Sequence, residues 1–237
     1  MAGLFSAEDW LMVWNYKDTF ILGFINTLQT AVVGILLALI IGIIIGLMAA
    51  SEKRIFRLIN RIYVEFIQNT PLLLQICALY YALSFSGYKI GILITGIISL
   101  GIYHGAYMAE VIRAGIGSIP KGQFEAAYSQ GFSYIGTMYH IILPQSIKII
   151  LPPMVNQVVN LIKNTSCLYI IGGSDLISLT YSFVTGATTG GAYAPAYLVS
   201  GLLFFIICFP LSTLAGVWEA NLKKKDVAVS PELREAV

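Results

Sequence analysis

The chain has 237 residues, of which 57% are hydrophobic and 11% are charged, and its mean hydropathy is +0.80. A soluble globular domain carries about 25% charged residues, so this composition excludes an ordinary soluble domain. The 14 Lys and Arg residues against 12 Asp and Glu residues leave a formal net charge of +2, which gives no reason to expect a nucleic-acid partner. The composition therefore predicts a polytopic membrane protein.

Five long apolar segments follow one another along the chain, and each can cross a bilayer, which takes about 20 apolar residues. They cover residues of about 20–50, 62–85, 90–111, 149–171 and 194–218. Each is predicted as a helix, because a segment that crosses lipid alone must satisfy its own backbone hydrogen bonds. The predicted fold class is therefore all-α, with five transmembrane helices in one transmembrane domain at residues 20–218.

The remaining segments are short. Residues 1–19 are predicted to lie outside the cytoplasm, with Trp10 and Trp14 one helical turn apart at the membrane interface. Residues 219–237 are predicted as a loose cytoplasmic tail. The segment 172–193, rich in Gly and Thr, is predicted as a flexible outer loop or a solvated linker.

Basic residues predict the orientation, because short cytoplasmic loops carry an excess of Lys and Arg. The segments after the first, third and fifth spans hold most of them, namely Lys53, Arg54, Arg57, Arg61, Arg113, Lys121, Lys148, Lys223, Lys224 and Lys225. The opposite loops hold only Lys17 and Lys89. The N-terminus is therefore predicted outside and the C-terminus in the cytoplasm.

A short helix is predicted in the polar loop of about residues 114–148, on the inner face. Pro120 favours a first helical turn, and Gly131 suits a left-handed position after the last turn. Glu125, Ala126 and Ala127 lie between them, and the two alanines keep the helix thin enough to enter a groove on another protein. The alternative is an ordinary loop helix, since Glu and Ala are common helix formers.

A second helix is predicted in the same loop. Ser133 is expected to cap its first turn, and Pro144 is expected to interrupt the helix after about Ile142. The result is a helix–turn–helix that is too polar to cross the membrane and is available to a soluble partner.

The spacing of this loop resembles the EAA loop of ABC importer permeases, and other motifs resemble the branch that carries polar amino acids. These motifs are Asn69-Thr70-Pro71-Leu72-Leu73-Leu74-Gln75, Ala106-Tyr107-Met108-Ala109-Glu110, Gly122-Gln123-Phe124-Glu125-Ala126-Ala127, Leu143-Pro144-Gln145 and Lys163-Asn164-Thr165-Ser166, with Gly23 and Thr27-Leu28 at the start. The resemblance covers about residues 20–218 in the same order, and it departs at Cys167, where that branch usually has leucine.

The resemblance implies a type I importer permease in the cell membrane of a prokaryote, surrounded by lipid. It implies a second permease subunit, identical or related, two ATP-hydrolysing subunits, and a substrate-binding protein docked outside. It also implies that Glu125, Ala126, Ala127 and Gly131 couple the chain to the ATPase. The chain contains no Gly-x-x-x-x-Gly-Lys-Ser/Thr motif, so ATP and Mg are expected in a separate subunit, and no enzymatic activity or cofactor is expected here.

Polar residues on the fourth span are candidates for the substrate path, since an ionised group at mid-span costs about 2.5–3.5 kcal/mol. They are Lys163, Asn160, Gln157 and Asn156. Asn156, Asn160 and Lys163 are predicted on one helix face, with Gln157 one step round. Lys163 is expected either to receive a substrate carboxylate or to act as a tether that pairs with Glu110 or caps a carbonyl.

The second span adds Glu65, Gln68 and Gln75 to the candidate path. Gln68 and Gln75 are seven residues apart and are predicted to share a face, with a kink at Pro71 that frees backbone groups between them. These side chains are expected either to line a cavity or to serve packing. Glu110 and Arg113, three residues apart on the third span, are expected to pair with each other.

These features predict a permease subunit of an ATP-driven importer for a polar amino acid. The alternatives are a permease for another small solute such as methionine or a metal, a secondary transporter or channel, and a structural scaffold. His104 and His140 lie far apart without acidic or Cys neighbours at ligand spacing, so no metal or catalytic site is expected. The amino acid carried, and whether the permease is a homodimer or a heterodimer, stay open from the sequence.

Overall fold

A computed structural model describes residues 6–88, 90–188 and 191–234, with only the backbone described for residues 223–234. Lys89 lies outside these ranges, as do the first five and last three residues of the chain. Within them every regular element is helical. The elements are α1 Ala7–Asn15, α2 Lys17–Ala50, α3 Arg54–Gln68, α4 Leu72–Phe85, α5 Ile92–Gly117, α6 Lys121–Ser129, α7 Tyr134–Thr137, a π turn Met138–Ile142, α8 Leu143–Asn164, a 3-10 helix Thr165–Ile171, α9 Leu176–Thr185 and α10 Tyr193–Arg234.

Three straight helices are long and apolar enough to cross a membrane: α2, α5 and the Tyr193–Leu222 part of α10. The 34 residues of α2 extend about 51 Å at 1.5 Å per residue, well beyond the roughly 30 Å of a hydrocarbon core. The first, third and fifth predicted spans are therefore confirmed as helices. The backbone of α10 continues as a helix to Arg234, so the prediction of a loose tail was wrong for residues 219–234.

The second predicted span is broken rather than kinked. Helices α3 and α4 meet at an angle of 97°. Pro71 begins the second of them, since it has no N–H to continue the first. The side chain of Gln75 donates hydrogen bonds to the backbone oxygens of Ile67 (3.0 Å) and Thr70 (3.2 Å) at the break. The carbonyl of Ile67 has no N–H four residues on, because that residue is Pro71, and the backbone N–H of Thr70 donates to it at 3.4 Å. Gln68 and Gln75 therefore do not share a helix face, and that prediction was wrong.

The fourth predicted span also departs from a simple helix. The π turn Met138–Ile142 leads directly into α8, so Pro144 lies in the first turn of a helix and does not interrupt one as predicted. The proline removes one backbone donor from this continuous helical stretch, at the point where the π turn gives way to α8. After residue 164 the chain tightens into the 3-10 helix, and α9 follows at an angle of 43°. Counting each bent pair as one span gives up to five, the predicted number.

The segment 172–193 contains a packed helix, so the prediction of a flexible loop or linker was wrong for the described part of it. Leu176, Phe183 and Val184 of α9 are buried in one apolar cluster with Phe20 of α2. The rings of Phe20 and Phe183 meet edge to face, with centroids 5.2 Å apart. The predicted N-terminal amphipathic segment forms α1, which places Val13 in this cluster and leaves Trp14 exposed.

Helices α2 and α5 pack closely through glycines. A β-carbon added at Gly42 would lie 2.6 Å from the β-carbon of Met108, and one added at Gly105 would lie 2.8 Å from Cγ2 of Ile41. Small residues at such contacts let two backbones approach, which is how helices gain dispersion contacts inside a membrane. This contact forms the centre of the bundle, against which α3, α8 and α9 pack.

Candidate functional site

A polar cavity of about 370 Å³ lies between α5 and α8. Its lining consists of two tyrosines, a histidine, three amides and one ammonium group: Tyr103, His104, Tyr107, Gln157, Asn160, Asn164 and Lys163. We call it the Lys163 cavity. The residues from α8 recur at three- and four-residue steps, so a single face of that helix points at α5. Three of the predicted path residues, Gln157, Asn160 and Lys163, are thus brought together.

Hydrogen bonds order the wall of this cavity that α5 contributes. The hydroxyl oxygens of Tyr103 and Tyr107 lie 3.1 Å apart. His104 is 1% exposed, and its Nε2 lies 3.1 Å from Nδ2 of Asn164. Its Nδ1 has no hydrogen-bond partner among the described residues. The sequence analysis considered His104 only as a metal ligand or a catalytic residue and therefore did not predict it as part of this cavity. The sequence around His104 is mostly apolar and gave no sign of a polar cavity.

Lys163 lies between two cavities. It also lines a second, mostly apolar space of about 430 Å³ together with Ser166, Cys167 and Phe204. Its side chain is exposed, and among the described residues it forms neither a salt bridge nor a hydrogen bond. The predicted tether to Glu110 or to a carbonyl is therefore absent from the described structure. The ammonium group is available to a ligand.

Glu110 pairs with Arg113 instead, as predicted. Nε of Arg113 donates to Oε2 of Glu110 at 2.8 Å. The prediction that Asn156 shares a face with Asn160 and Lys163 was wrong for this cavity. Asn156 is exposed and does not line the Lys163 cavity, whereas Gln157 does. The face of α8 that meets α5 is centred on Gln157, Asn160 and Asn164. The predicted face, which began at Asn156, is therefore offset by one residue.

The path candidates of the second span lie elsewhere. Glu65 and Gln68 line a separate cavity of about 720 Å³ at the C-terminal ends of α2 and α5, which we call the inner cavity. Glu65 accepts a hydrogen bond from Nε of Arg61 at 2.7 Å. Gln75 is occupied by the broken helix end described above. The structure therefore does not bring these three residues to the Lys163 cavity.

The short helix of the polar loop is α6, and its end has the predicted geometry. Gly131 has φ +83°, in the left-handed region. The N–H of Gly131 donates to the carbonyl of Tyr128 at 3.0 Å, and that of Phe132 donates to the carbonyl of Ala127 at 3.1 Å. These two bonds define a Schellman motif, which satisfies carbonyls that the helix end would leave unpaired.

The surface of α6 is divided between a buried and an exposed side. Ala127 is 3% exposed, whereas Glu125 and Ala126 are exposed. One side-chain hydrogen bond runs from α8 to α6, in which Nε2 of Gln145 donates to Oε1 of Gln123 at 3.4 Å; it lies at the surface. The exposed side of α6 is therefore free to contact another protein, while the helix stays connected to the one that carries Lys163.

Sequence reasoning missed a contact between the first turns of α2 and the start of α9. The N–H of Leu176 donates to Oγ1 of Thr27 at 3.0 Å, and Nδ2 of Asn26 donates to the carbonyl of Ser174 at 2.9 Å. A β-carbon added at Gly23 would lie 2.8 Å from the α-carbon of Leu176. This explains physically why a glycine followed by a threonine four residues later suits the start of α2.

The chain belongs to the family described as binding-protein-dependent transport system inner membrane component, which matches residues 38–224. It is similar to the probable glutamine ABC transporter permease protein GlnM of Bacillus subtilis, with 38% identity over 202 residues that cover 85% of this chain and 92% of that protein. It is also similar to the probable glutamine permease GlnP of the same organism, with 34% identity over 214 residues that cover 90% and 94%.

The fold has a counterpart among solved structures. A crystal structure described as an amino acid ABC transporter with histidines matches with a TM-score of 0.81 and 31% identity, covering 90% of this chain and 98% of that one. The predicted family and the predicted fold of an importer permease are therefore confirmed. The chain is a membrane component of a transport system.

Proposed function

We propose that the chain is the permease subunit of an ABC importer for a polar amino acid, working by alternating access. The proposal is supported by the family, by the names of the similar proteins, and by a polar cavity between two of the membrane helices. It includes a second permease subunit, a separate ATPase that holds ATP and Mg, and an external substrate-binding protein. The N-terminus then lies outside and the C-terminus in the cytoplasm of a prokaryotic cell.

The observation that carries the proposal is the unpaired ammonium group of Lys163 in the Lys163 cavity. An amino acid needs a cation or donors for its carboxylate and acceptors for its ammonium group. Lys163 supplies the first, and the side-chain oxygens of Gln157 and Asn160 supply the second. The described lining of the cavity contains no carboxylate, which favours an uncharged polar side chain over an arginine or lysine side chain.

Transmission from the ATPase follows from the position of α6. ATP binding closes the two ATPase subunits, and the exposed side of α6 with Glu125 and Ala126 moves with them. The contact between Gln123 and Gln145 links that motion to α8. The membrane helices then open outward, and ATP hydrolysis returns them.

The test is uptake of glutamine by proteoliposomes that contain the permease, its ATPase and the binding protein. Lys163→Gln is expected to raise the KM for uptake about tenfold or more, because hydrogen bonds to charged groups contribute about 1.5–3 kcal/mol. Lys163→Arg keeps the cation and is expected to lose less, and Lys148→Gln is a control at an exposed basic position outside the cavity. An unchanged KM for Lys163→Gln would contradict the assigned site.

A secondary transporter is the competing function, and the same vesicles distinguish it. With the membrane potential held fixed, uptake is expected to stop when ATP is withheld. Uptake that continues on an ion gradient without ATP would overturn the proposal that the chain belongs to an ATP-driven importer.

A further inference from the structure

The inner cavity is not needed by the amino acid site proposed above, and its charges are unbalanced. It is bordered by the last residues of α2, by α3, by the last turns of α5 and by the start of α6. Four basic and two acidic side chains line it, a formal excess of two positive charges: Arg57, Arg61, Arg113 and Lys121 against Glu65 and Glu110.

Neither acid is available to neutralise that excess. Glu65 is paired with Arg61, and Glu110 is paired with Arg113. The Nη1 atom of Arg57 donates at 2.9 Å to the backbone oxygens of two residues of the preceding turn, which fixes the guanidinium position. A guanidinium has five N–H donors, so Arg57 keeps donors for an anionic ligand.

Apart from the amides of Asn60 and Gln68, the rest of the wall is apolar, which restricts the ligand further. Val64, Ile116 and Ile119 line the cavity and are each no more than 7% exposed, and Phe124 and Met138 complete the apolar side. A small inorganic anion or a free amino acid gains nothing from such a wall, because burying apolar surface is favourable only against another apolar group. The combination of cations and apolar walls fits an anionic amphiphile.

Helix α3 carries an exposed apolar stripe beside this cavity. Arg57, Arg61 and Glu65 recur every four residues on the face that lines the cavity. A neighbouring face presents Ile55, Ile59, Ile62 and Phe66, which are 57%, 42%, 61% and 66% exposed. A lipid chain lying along that apolar stripe has its head group at the level of the cavity.

We infer that the inner cavity binds the head group of an anionic phospholipid of the cytoplasmic leaflet. Basic pockets between membrane helices on that side are suited to such head groups, and each nearby cation strengthens the attraction. The inference depends on the orientation given under Proposed function, and it adds a ligand that contacts Lys121 and Phe124 of α6. The lipid composition of the membrane would thereby act on the helix that meets the ATPase.

The experiment measures phosphatidylglycerol bound to the purified permease–ATPase complex. The complex is taken from vesicles of phosphatidylcholine with one third phosphatidylglycerol, and retained lipid is counted by native mass spectrometry. Arg57→Gln combined with Lys121→Gln is expected to weaken retention about fivefold for each cation removed. Arg57→Gln alone has Arg54→Gln as its matched control, since each removes one positive charge from α3 and Arg54 is exposed outside the cavity; Arg57→Lys is expected to retain binding.

Several outcomes would overturn the inference. They are equal retention by the double variant and the wild type, equal loss in Arg54→Gln, and equal retention of phosphatidylcholine. Displacement of the lipid by millimolar inorganic phosphate would indicate a site for free anions. Displacement by glutamine would indicate that the cavity binds the transported substrate. Because the count needs no transport, an importer that fails in the uptake test can still pass or fail this one.

Discussion

Replacing Gly131 tests whether the shape of one turn controls coupling. Its φ of +83° lies in the left-handed region, and a β-carbon added there would have no atom within 4 Å. The effect of a substitution is therefore purely on the backbone, without a steric clash. The left-handed conformation costs an L-residue roughly 1–2 kcal/mol, and more for a β-branched side chain.

We expect Gly131→Val to reduce the population of the capped α6 end by a factor of about 5 to 30, following from that cost. Only the loop is affected, so insertion of the bundle in the membrane should persist. Both recovery of the ATPase subunit with the purified permease and ATP-driven uptake should fall.

Two substitutions serve as controls for this prediction. Gly131→Asn should retain much of the function, because asparagine adopts the left-handed conformation at a helix end more easily than other residues. Gly122→Ala adds a β-carbon to open space within α6 at ordinary helical φ, and should leave assembly unchanged. Wild-type uptake and assembly by Gly131→Val would refute the reasoning that the turn positions α6 for the ATPase.

Two further predictions concern the stability of the bundle. Gly42→Val places a β-carbon 2.6 Å from that of Met108, so the unfolding temperature in detergent should fall by several degrees, whereas Gly201→Ala, with open space around it, should not change it. Thr27→Val keeps the shape of the side chain but leaves the N–H of Leu176 without its acceptor, which should lower the free energy of unfolding by about 1–3 kcal/mol. Hydrogen exchange at the start of α9 should then rise. Unchanged exchange would contradict a stabilising role for this hydrogen bond.

The features that the sequence predicted well depend on local chemistry. Gly131 was identified because a left-handed residue after a short helix calls for glycine, and the structure has that φ. The pairing of Glu110 with Arg113 followed from their spacing on one helix. The straight spans followed from apolar length alone. In each case the determining interactions lie within a few residues of each other along the chain.

The features that the sequence did not predict depend on tertiary partners. Pro71 indicated a bend, but the 97° angle depends on tertiary packing: α3 packs on α2 and α5, whereas α4 packs on α5 and the 3-10 helix. Gln75 donates to carbonyls at the break. Helix α9 lacks the length of a span, and its packing against α2 could not be read from its Gly- and Thr-rich surroundings. The face of α8 was predicted one step away because only its contact with α5 distinguishes Gln157 from Asn156.

Helix α8 extends from the neighbourhood of α6 to the Lys163 cavity. Its 22 residues extend about 33 Å, from Gln145 beside α6 to Lys163 in the polar cavity. A helix transmits displacement along its axis with little loss, because its backbone hydrogen bonds resist stretching. Pro152 and Pro153 remove two of those bonds partway along, so bending should concentrate there. Under the proposed function, we expect a displacement at α6 to reach Lys163 as a change in the tilt of the last three turns of α8, which line the cavity opposite Tyr103 and Tyr107.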